Sequence, residues 1–382
     1  MIPYGRHDLD AQDIEAVVDV LRSDWLTQGP MVPRFEEAVA SYCGARHAVA
    51  ANSATSALHL ACLALGLGPG DRLWTSPITF VASANCARYC GAEVDFVDID
   101  PDTWALSIPA LAEKLERAHC AGRLPKIVVP VHFAGQPCDV RAIRELADRY
   151  GFRVLEDAAH ALGARDADAP VGACRHADIT VFSFHPVKHI TTGEGGMAMT
   201  LDAALAARMR LLRSHGITRE AHALLASSPG GWYYEQQTLG FNYRLTDIQA
   251  ALGLSQLERL NAFLARRREL AARYDRLLDG LPLTRQAQRP RVSHAWHLYV
   301  IRLQEAARRQ SVFEALRAAG IGAQVHYIPV HLQPYYRQLG FKPGDFPVAE
   351  SYYAGAITLP LHPRLTEAEQ ERVAAVLKES LA

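Results

Sequence analysis

Through the first two-thirds of the chain, short apolar runs alternate with helical patterns of about the length that a parallel crossover needs. The alternation is clearest where KIVVPV leads to Asp139, a helix N-cap, and then to VRAIRELADRY and FRVLE. This pattern predicts an α/β fold with a mainly parallel sheet and helices on both faces. The seven predicted strands are HAVAA (47–51), RLWTS (72–76), VDFVDI (94–99), KIVVPV (126–131), FRVLE (152–156), DITVFSF (178–184) and GMAMT (196–200).

The pattern changes beyond about residue 255. A long helical segment, SQLERLNAFLARRRELAARYDRLL, is followed by a mixture of strands and helices. The chain ends in TEAEQERVAAVLKESL, where Thr366 and Glu369 form a capping box. We therefore expect a large domain over residues 1–255 and a smaller C-terminal α+β domain over residues 256–382.

Composition narrows the class of protein. Forty Lys and Arg side chains against forty-one Asp and Glu give a net charge of -1, without the basic excess that nucleic-acid or membrane-surface binding requires. MIPYGRHDLD lacks the layout of a signal peptide, and the longest stretch without charged residues, 48–70, is too polar to span a membrane. The seven scattered cysteines suggest neither a disulfide framework nor a metal site. We therefore expect a cytoplasmic protein without a bound metal.

Residues that follow each strand are the candidate site residues, because open parallel sheets bind ligands at the carboxyl ends of their strands. The first strand is followed by Asn52-Ser53-Ala54-Thr55-Ser56 at the start of a helix. Hydroxyl groups and free backbone N–H groups there are suited to a phosphate, although plain N-capping explains the same residues. Phe80 follows the second strand and is suited either to stacking on a ring or to packing in the core.

Two ionisable residues follow the fifth and sixth strands. Asp157 is either a cap for the next turn or a carboxylate that faces the cleft. Lys188 lies in FSFHPVKHITTGEGGM and has no acidic neighbour before Glu194. A desolvated lysine has a lowered pKa and becomes a nucleophile toward carbonyls, whereas a lysine on a loop can also simply extend into water. The glycines of GEGG either let a ligand approach the backbone or form an ordinary turn.

These residues converge on one edge of the sheet, since the ends of parallel strands meet there. A phosphate site, an aromatic plane, a carboxylate and a half-buried amine in one place match the requirements of pyridoxal 5'-phosphate. Its aldehyde reacts with a lysine, its phosphate suits a helix N-terminus, and its ring nitrogen needs a carboxylate partner to stay protonated. The convergence therefore predicts a site for this cofactor.

Nearly the whole chain resembles the DegT/DnrJ/EryC1/StrS family of sugar aminotransferases, which belong to the fold-type I pyridoxal phosphate enzymes. The resemblance implies the fold of that class, a mainly parallel seven-stranded sheet with a smaller C-terminal domain. It also implies a homodimer with shared active sites. In chain order, it is carried by PYGRHDLD, WLTQGP, NSATSALHLA, SPITFVASANC, VLEDAAHALGA, FSFHPVKHITTGEGGM, GFNYRLTDIQAALGLSQL and HYIPVHLQPYY.

The resemblance also implies roles for individual residues. Lys188 would carry the cofactor as a Schiff base and act as general acid and base, and Asp157 would partner the pyridine nitrogen. The implied cofactor-binding residues are Ala54, Thr55, Phe80, Asp157, His160, Ser183, Lys188 and Asn242, the last of which reaches the phosphate of the neighbouring subunit. The candidate substrate-binding residues are Tyr4, Gln28, His185, Arg244, His326 and His331. Arg244 would clamp the carboxylate of the amino donor, or else is an ordinary surface arginine.

Within the family, FSFHPVK and ITTGEGG together with WYYEQQTLGFNYRLTDIQAALGLSQL are most similar to the members that act in pseudaminic acid biosynthesis. That similarity implies transfer of an amino group from L-glutamate to the 4-keto group of a UDP-linked 4-keto-6-deoxy-N-acetylhexosamine. His189 departs from this group, which more often has proline after the lysine. The alternative is an aminotransferase for a different 3- or 4-keto nucleotide sugar, such as a perosamine precursor or another dTDP- or GDP-linked sugar.

Three other functions are weaker interpretations. A related sugar 3-dehydrase would have histidine in place of Lys188, and a regulator that had lost the chemistry would be altered at Lys188 or Asp157. A nicotinamide-dependent dehydrogenase would need a glycine fingerprint after the first strand, and NSATSA is not one. The sequence therefore favours the aminotransferase.

Overall fold

The computed structural model describes residues 1–167 and 169–382. Its helices are α1 Ala11–Arg22, α2 Met31–Cys43, α3 Ala54–Ala64, α4 Ala82–Tyr89, α5 Ile108–Cys120, α6 Val140–Tyr150, α7 Ala203–Arg213, α8 Asp247–Leu277, α9 Arg309–Ala318, α10 Pro334–Arg337, α11 Pro347–Gly355 and α12 Glu367–Leu381. Its strands are β1 His47–Ala51, β2 Arg72–Thr75, β3 Glu93–Phe96, β4 Ile127–Val129, β5 Arg153–Asp157, β6 Arg165–Asp166, β7 Ala169–Pro170, β8 Ile179–Ser183, β9 Gly196–Thr200, β10 Ile217–Thr218, β11 Glu235–Gln236, β12 Leu283–Arg285, β13 Val292–Ser293, β14 Tyr299–Leu303 and β15 Ala356–Leu359. Within these two ranges, no helix combines the length and the apolar character needed to cross a bilayer.

Seven strands form the central sheet in the order β1-β9-β8-β5-β4-β2-β3. The pairs β2–β3, β2–β4, β4–β5 and β5–β8 are parallel, and β9 is antiparallel to both β8 and β1. Strand β1 therefore runs in the same direction as the parallel strands. All seven strands predicted from the sequence lie in this sheet, which confirms the mainly parallel architecture.

Helices cover both faces of the sheet, because successive side chains of a strand point to opposite faces. In β2, Leu73 packs in a core with α3 and α4, whereas its neighbour Trp74 packs with α5 and α6. In β4, Ile127 and Val128 divide between the same two cores. Burial on both faces explains why these strands are continuous apolar runs in the sequence.

The antiparallel strand β9 begins at the edge where the parallel strands end. Its first residue, Gly196, pairs with Ser183 at the end of β8. A Cβ atom at Gly196 would lie only 2.5 Å from the backbone nitrogen of Ala54, so glycine is needed for α3 to begin against the sheet. Gly193, with a φ of +78°, forms the turn before β9. The glycines after Lys188 thus serve a turn and the close approach of α3.

The C-terminal part is organised around a long helix and a second sheet. Helix α8 contains 31 residues and continues without interruption through the predicted domain boundary at residue 255. Strands β12, β14 and β15 form an antiparallel sheet whose core also includes residues of α9 and α12. Thr366 and Glu369 form the predicted capping box of α12. The division into 1–255 and 256–382 stays a prediction, because α8 contributes residues to both parts.

Candidate active site

A cavity of about 470 Å³ opens at the edge of the sheet where β1, β5 and β8 end. These three strands run in the same direction, so the residues that follow them meet at this edge. The cavity brings together ten of the residues predicted from the sequence: Tyr4, Ala54, Thr55, Phe80, Asp157, His160, Ser183, His185, Lys188 and His326.

The N-terminus of α3 forms one side of the cavity. Ser53 is the N-cap, and its Oγ accepts a hydrogen bond from the Ser56 backbone N–H at 3.1 Å. The Ser56 hydroxyl donates in turn to Asn52 Oδ1 at 2.6 Å. The N–H groups of a first helical turn lack intrahelical acceptors, and the helix dipole adds a partial positive charge. With the hydroxyl of Ser183 beside it, this end of α3 is suited to a phosphate.

Asp157 ends β5 as a buried carboxylate that is 6% exposed. Its Oδ2 accepts a hydrogen bond from the Ser83 hydroxyl at 2.6 Å, and its Oδ1 accepts one from the Ala159 backbone N–H at 3.0 Å. Thr79 Oγ1 lies 2.6 Å from Ser83 Oγ and extends this chain of hydroxyl groups. The donors fix the orientation of the carboxylate at the cavity.

Lys188 lies on the turn after β8, where its backbone N–H donates to the carbonyl oxygen of His185 at 2.9 Å. Burial lowers the pKa of its amine to about 8; the carboxylate of Asp157 opposes this shift, and the guanidinium of Arg267 adds to it. The amine is therefore closer to its neutral, nucleophilic form at physiological pH than an exposed lysine would be. This environment fits a nucleophile better than a lysine that extends into water.

Imidazole rings surround the Lys188 amine. His297 Nε2 lies 3.5 Å from Lys188 Nζ, and the centroids of the His297 and His160 rings are 4.3 Å apart. His160 Nε2 lies 3.2 Å from the hydroxyl of Tyr327. Burial lowers the pKa of both histidines well below the ordinary value, and the charge of Lys188 acts in the same direction. Both rings are therefore neutral at physiological pH.

Phe80 presents an aromatic ring to the cavity. The side chain is 58% exposed, and its ring centroid lies 6.3 Å from that of Tyr327. An aromatic side chain that is this exposed is not a core residue, so the core-packing interpretation of Phe80 is wrong. The free ring is available to cover a planar ligand.

Polar side chains line the outer part of the cavity. His185 and Glu194 are exposed there. Although His185 is largely exposed, partial burial of its ring lowers its pKa; Glu194 opposes that shift, and Lys188 adds to it. The ring of His326 lies 5.4 Å from that of Tyr4, and burial lowers the pKa of His326 to about 3. This mixture of hydroxyl, imidazole and carboxylate groups is suited to a ligand rich in hydroxyl groups.

Four predicted residues lie outside this cavity. His331 is fully buried, and its Nε2 lies 2.9 Å from Glu350 Oε1. Its assignment to the substrate pocket is therefore wrong for the cavity of this chain, because the ring is held in the core. Gln28 and Asn242 are exposed and Arg244 is half-buried, all of them away from the cavity lining.

Three residues that contact the site were not predicted from the sequence: Ser83, Tyr327 and His297. The two closely spaced hydroxyl groups of Thr79 and Ser83 in SPITFVASANC were the available signal for the first. Tyr327 follows His326 directly and could have been considered with it. Nothing in HAWHLYVIRL connects His297 with Lys188, which lies 109 residues earlier.

Pyridoxal phosphate fits this set of groups. The first turn of α3 and the Ser183 hydroxyl would hold the phosphate, Asp157 would hold the ring nitrogen, and Lys188 would bond to the aldehyde carbon. His160 Nδ1 is buried and has no hydrogen-bond partner in the part of the chain that the structure describes. A buried polar atom of this kind at a cavity is available to a ligand oxygen.

The family model for DegT/DnrJ/EryC1/StrS aminotransferases matches residues 7–378 of this chain. The chain belongs to this family, whose members are pyridoxal phosphate-dependent aminotransferases. The family resemblance and the fold-type I architecture predicted from the sequence are both confirmed.

Individual relatives match over nearly their full length. The chain is 42% identical to the spore coat polysaccharide biosynthesis protein SpsC of Bacillus subtilis (strain 168), over 99% of this chain and 96% of SpsC. It superposes on Helicobacter pylori PseC, an aminotransferase involved in the biosynthesis of pseudoaminic acid, with a TM-score of 0.91, 33% identity and coverage of 100% and 99%. Spr1654 of Streptococcus pneumoniae, solved in PMP, PLP and apo forms, gives TM-scores of 0.90, 0.89 and 0.89 at 31% identity, with coverage of 100% of this chain and 100%, 100% and 98% of Spr1654. The chain is therefore a sugar aminotransferase of this family.

In the cofactor-free protein, we expect Lys188 to react with acetic anhydride with a midpoint near pH 8, because burial lowers the pKa of its amine to about 8. Below that pH the amine is protonated and unreactive, and above it the neutral amine reacts. Competitive labelling followed by peptide mass spectrometry measures the midpoint against a model lysine peptide, whose pKa is about 10.4. A Lys188 midpoint equal to that of the model peptide would contradict the burial of the amine.

Proposed function

We propose that this protein uses pyridoxal phosphate to transfer the amino group of L-glutamate to the 4-keto group of a UDP-linked 4-keto-6-deoxy-N-acetylhexosamine. The single observation that carries the proposal is that Lys188, Asp157 and the N-terminus of α3 line one cavity. An amine, a carboxylate and an anion site are the three groups that this cofactor requires.

The residues of the cavity divide the binding of the cofactor among them. The backbone of Ala54 and Thr55 and the hydroxyl of Ser183 hold the phosphate. In the proposed arrangement, Phe80 covers one face of the ring and His160 lies near the ring hydroxyl. When bound, the cofactor supplies an electron sink conjugated to the nitrogen of the amino donor, and the carboxylate of Asp157 keeps the ring nitrogen protonated.

Lys188 moves the proton in both halves of the reaction. With the donor bound at the cofactor, the free Nζ of Lys188 would take the α-proton of glutamate. The Lys188 ammonium would then give that same proton back within the site, and in the half-reaction with the keto sugar Nζ would move a proton in the reverse direction. The pKa of about 8 suits this work, because an amine close to neutrality at physiological pH serves as both acid and base.

The polar outer part of the cavity supports a sugar as the acceptor. Tyr4, His185 and His326 offer hydroxyl and imidazole groups to sugar hydroxyls. PseC is named for pseudoaminic acid biosynthesis and SpsC for a coat polysaccharide, and both match this chain over nearly its full length. These names support the pseudaminic-acid type of acceptor in this proposal.

The charges of the substrates support a homodimer with shared sites. Lys188 is the single Lys or Arg side chain among the described residues that line the cavity. Glutamate and a nucleotide diphosphate each carry negative charge, which calls for further cations. In the proposed dimer, Arg244 and Asn242 come from the partner copy, as could Gln28, with Arg244 clamping the donor carboxylate and Asn242 reaching the phosphate.

The reducing cytoplasm is the proposed compartment. All seven cysteines are free thiols, and six of them are buried. Free thiols at this density are typical of a reducing compartment.

We expect purified holoenzyme to be yellow and to lose its visible absorbance when L-glutamate is added. Absorbance should then return with a UDP-linked 4-keto-6-deoxy-N-acetylhexosamine and not with dTDP- or GDP-linked keto sugars. Absorption spectroscopy measures the half-reaction with glutamate, and mass spectrometry of the amino-sugar product measures the half-reaction with the keto sugar. Lys188→Ala should lose both responses, since no other amine lines the cavity in the described part of the chain. Turnover of a dTDP- or GDP-linked sugar instead would show that the acceptor is wrong while the reaction class holds.

A mixture of two inactive variants should regain activity if the sites are shared. Lys188→Ala lacks the amine and Asn242→Ala lacks the residue that the partner supplies. Each mixed dimer then contains one site with both residues intact. Mixing after mild dissociation, followed by the glutamate assay, measures the recovery. If the mixture stays as inactive as each variant alone, Asn242 does not act across the dimer.

A further inference from the structure

His297 contacts the Lys188 amine from the C-terminal part of the chain. Its Nε2 lies 3.5 Å from Lys188 Nζ, and the ring is 4% exposed. His160 and His189 flank the imidazole, with ring centroids 4.3 Å and 5.5 Å away. None of the steps proposed above uses His297, although it is the nearest hydrogen-bonding neighbour of the amine in the described structure.

The backbone of His297 is held from two sides. Its N–H donates to the carbonyl oxygen of Ala134 at 2.8 Å. From α8, the fully buried Arg267 donates through Nη1 to the carbonyl oxygens of Trp296, His297 and Leu361, at 3.2, 3.2 and 3.0 Å. Burial of a guanidinium costs free energy, and the three hydrogen bonds to carbonyl groups offset part of that cost. The guanidinium fixes the position of the imidazole relative to Lys188.

The contacts of His297 determine its tautomer whenever Lys188 is protonated. Nδ1 is buried and has no hydrogen-bond partner among the described residues, while Nε2 faces the amine. When Lys188 is an ammonium, Nε2 must be the bare acceptor and Nδ1 must carry the proton. In that tautomer the buried Nδ1–H has no acceptor among the described residues, which is destabilising, so the hydrogen bond from Lys188 to Nε2 is what favours it.

Resting on the proposed function, we propose that His297 is a positioning residue that accepts a hydrogen bond from the protonated amine of Lys188 while that amine holds the proton taken from the amino donor. The C–H bond of the donor breaks, its electron pair stays with the donor, and the new N–H bond forms at Nζ. The hydrogen bond to Nε2 then holds the ammonium in place until the proton is returned.

The electrostatic surroundings keep His297 available as an acceptor. Burial lowers the pKa of His297 well below its ordinary value, and Lys188, His160, His189 and Arg267 all act in the same direction. Among the groups around the amine, Asp157 favours the ammonium and Arg267 disfavours it. His326 also faces the amine and is kept neutral by burial. A neutral imidazole therefore faces Lys188 throughout the physiological pH range.

Three substitutions of His297 distinguish the loss of its hydrogen-bond acceptor from the loss of its packing. His297→Gln places an amide oxygen near the position of Nε2, whereas His297→Asn is too short to reach it and His297→Leu removes the polar group. We expect kcat to fall roughly ten- to a hundredfold in the Asn and Leu variants, with KM for glutamate nearly unchanged. His297→Gln should recover much of the loss.

The second readout is the pKa of Lys188 in the cofactor-free chain, measured by competitive acetylation. Loss of an acceptor destabilises the ammonium, so the midpoint should move down by about one pH unit in His297→Asn and His297→Leu. His297→Gln should stay near the wild-type midpoint. Circular dichroism verifies that the variants are folded, and the Asn and Gln pair decides the test if the Leu variant does not fold.

The two proposals fail in different ways. Wild-type protein that does not respond to glutamate would overturn the proposed function, while the acetylation midpoints would still test His297. Equal kcat values and equal midpoints in the Asn and Gln variants would overturn the role of His297 even in an active enzyme. The role of His297 is supported if kcat and the acetylation midpoint of Lys188 are both lower in His297→Asn than in His297→Gln.

Discussion

The candidate site depends on a lysine amine and a carboxylate that lie at one cavity but contact other groups rather than each other. Asp157 receives its hydrogen bonds from Ser83 and Ala159, and the Lys188 amine lies beside the neutral ring of His297. A direct ion pair would stabilise the ammonium and raise the pKa of the lysine. Burial instead lowers that pKa, so the amine is available for covalent chemistry while the carboxylate is held for a cationic partner.

Much of the fold could be predicted because its signal is local. Parallel strands buried on both faces are continuous apolar runs, and the helices between them have caps such as Asp139 before α6. The two-residue strands β6, β7, β10, β11 and β13 carry no periodic pattern and were not predicted. The boundary at residue 255 followed a change in composition, whereas the packing that surrounds α8 depends on contacts across the whole chain.

The site could be predicted where its residues directly follow strands. Asp157 and Ser183 end β5 and β8, and Lys188 follows within the next turn. Ser83 and His297 could not be found in this way, since they reach the site from 74 residues before Asp157 and 109 residues after Lys188. His331 shows the opposite error: it lies in a family motif, but its ring pairs with Glu350 in the core. The direction in which a loop side chain points depends on tertiary contacts, which the local sequence does not show.

The attachment point of the cofactor tests the proposed site most directly. Holoenzyme treated with borohydride keeps the cofactor as a stable adduct, which peptide mass spectrometry locates. We expect the adduct on Lys188, and we expect prior addition of L-glutamate to remove it. An adduct on another lysine, or a Lys188 peptide that stays unmodified in yellow protein, would contradict the assignment of Lys188 as the residue that bonds the cofactor.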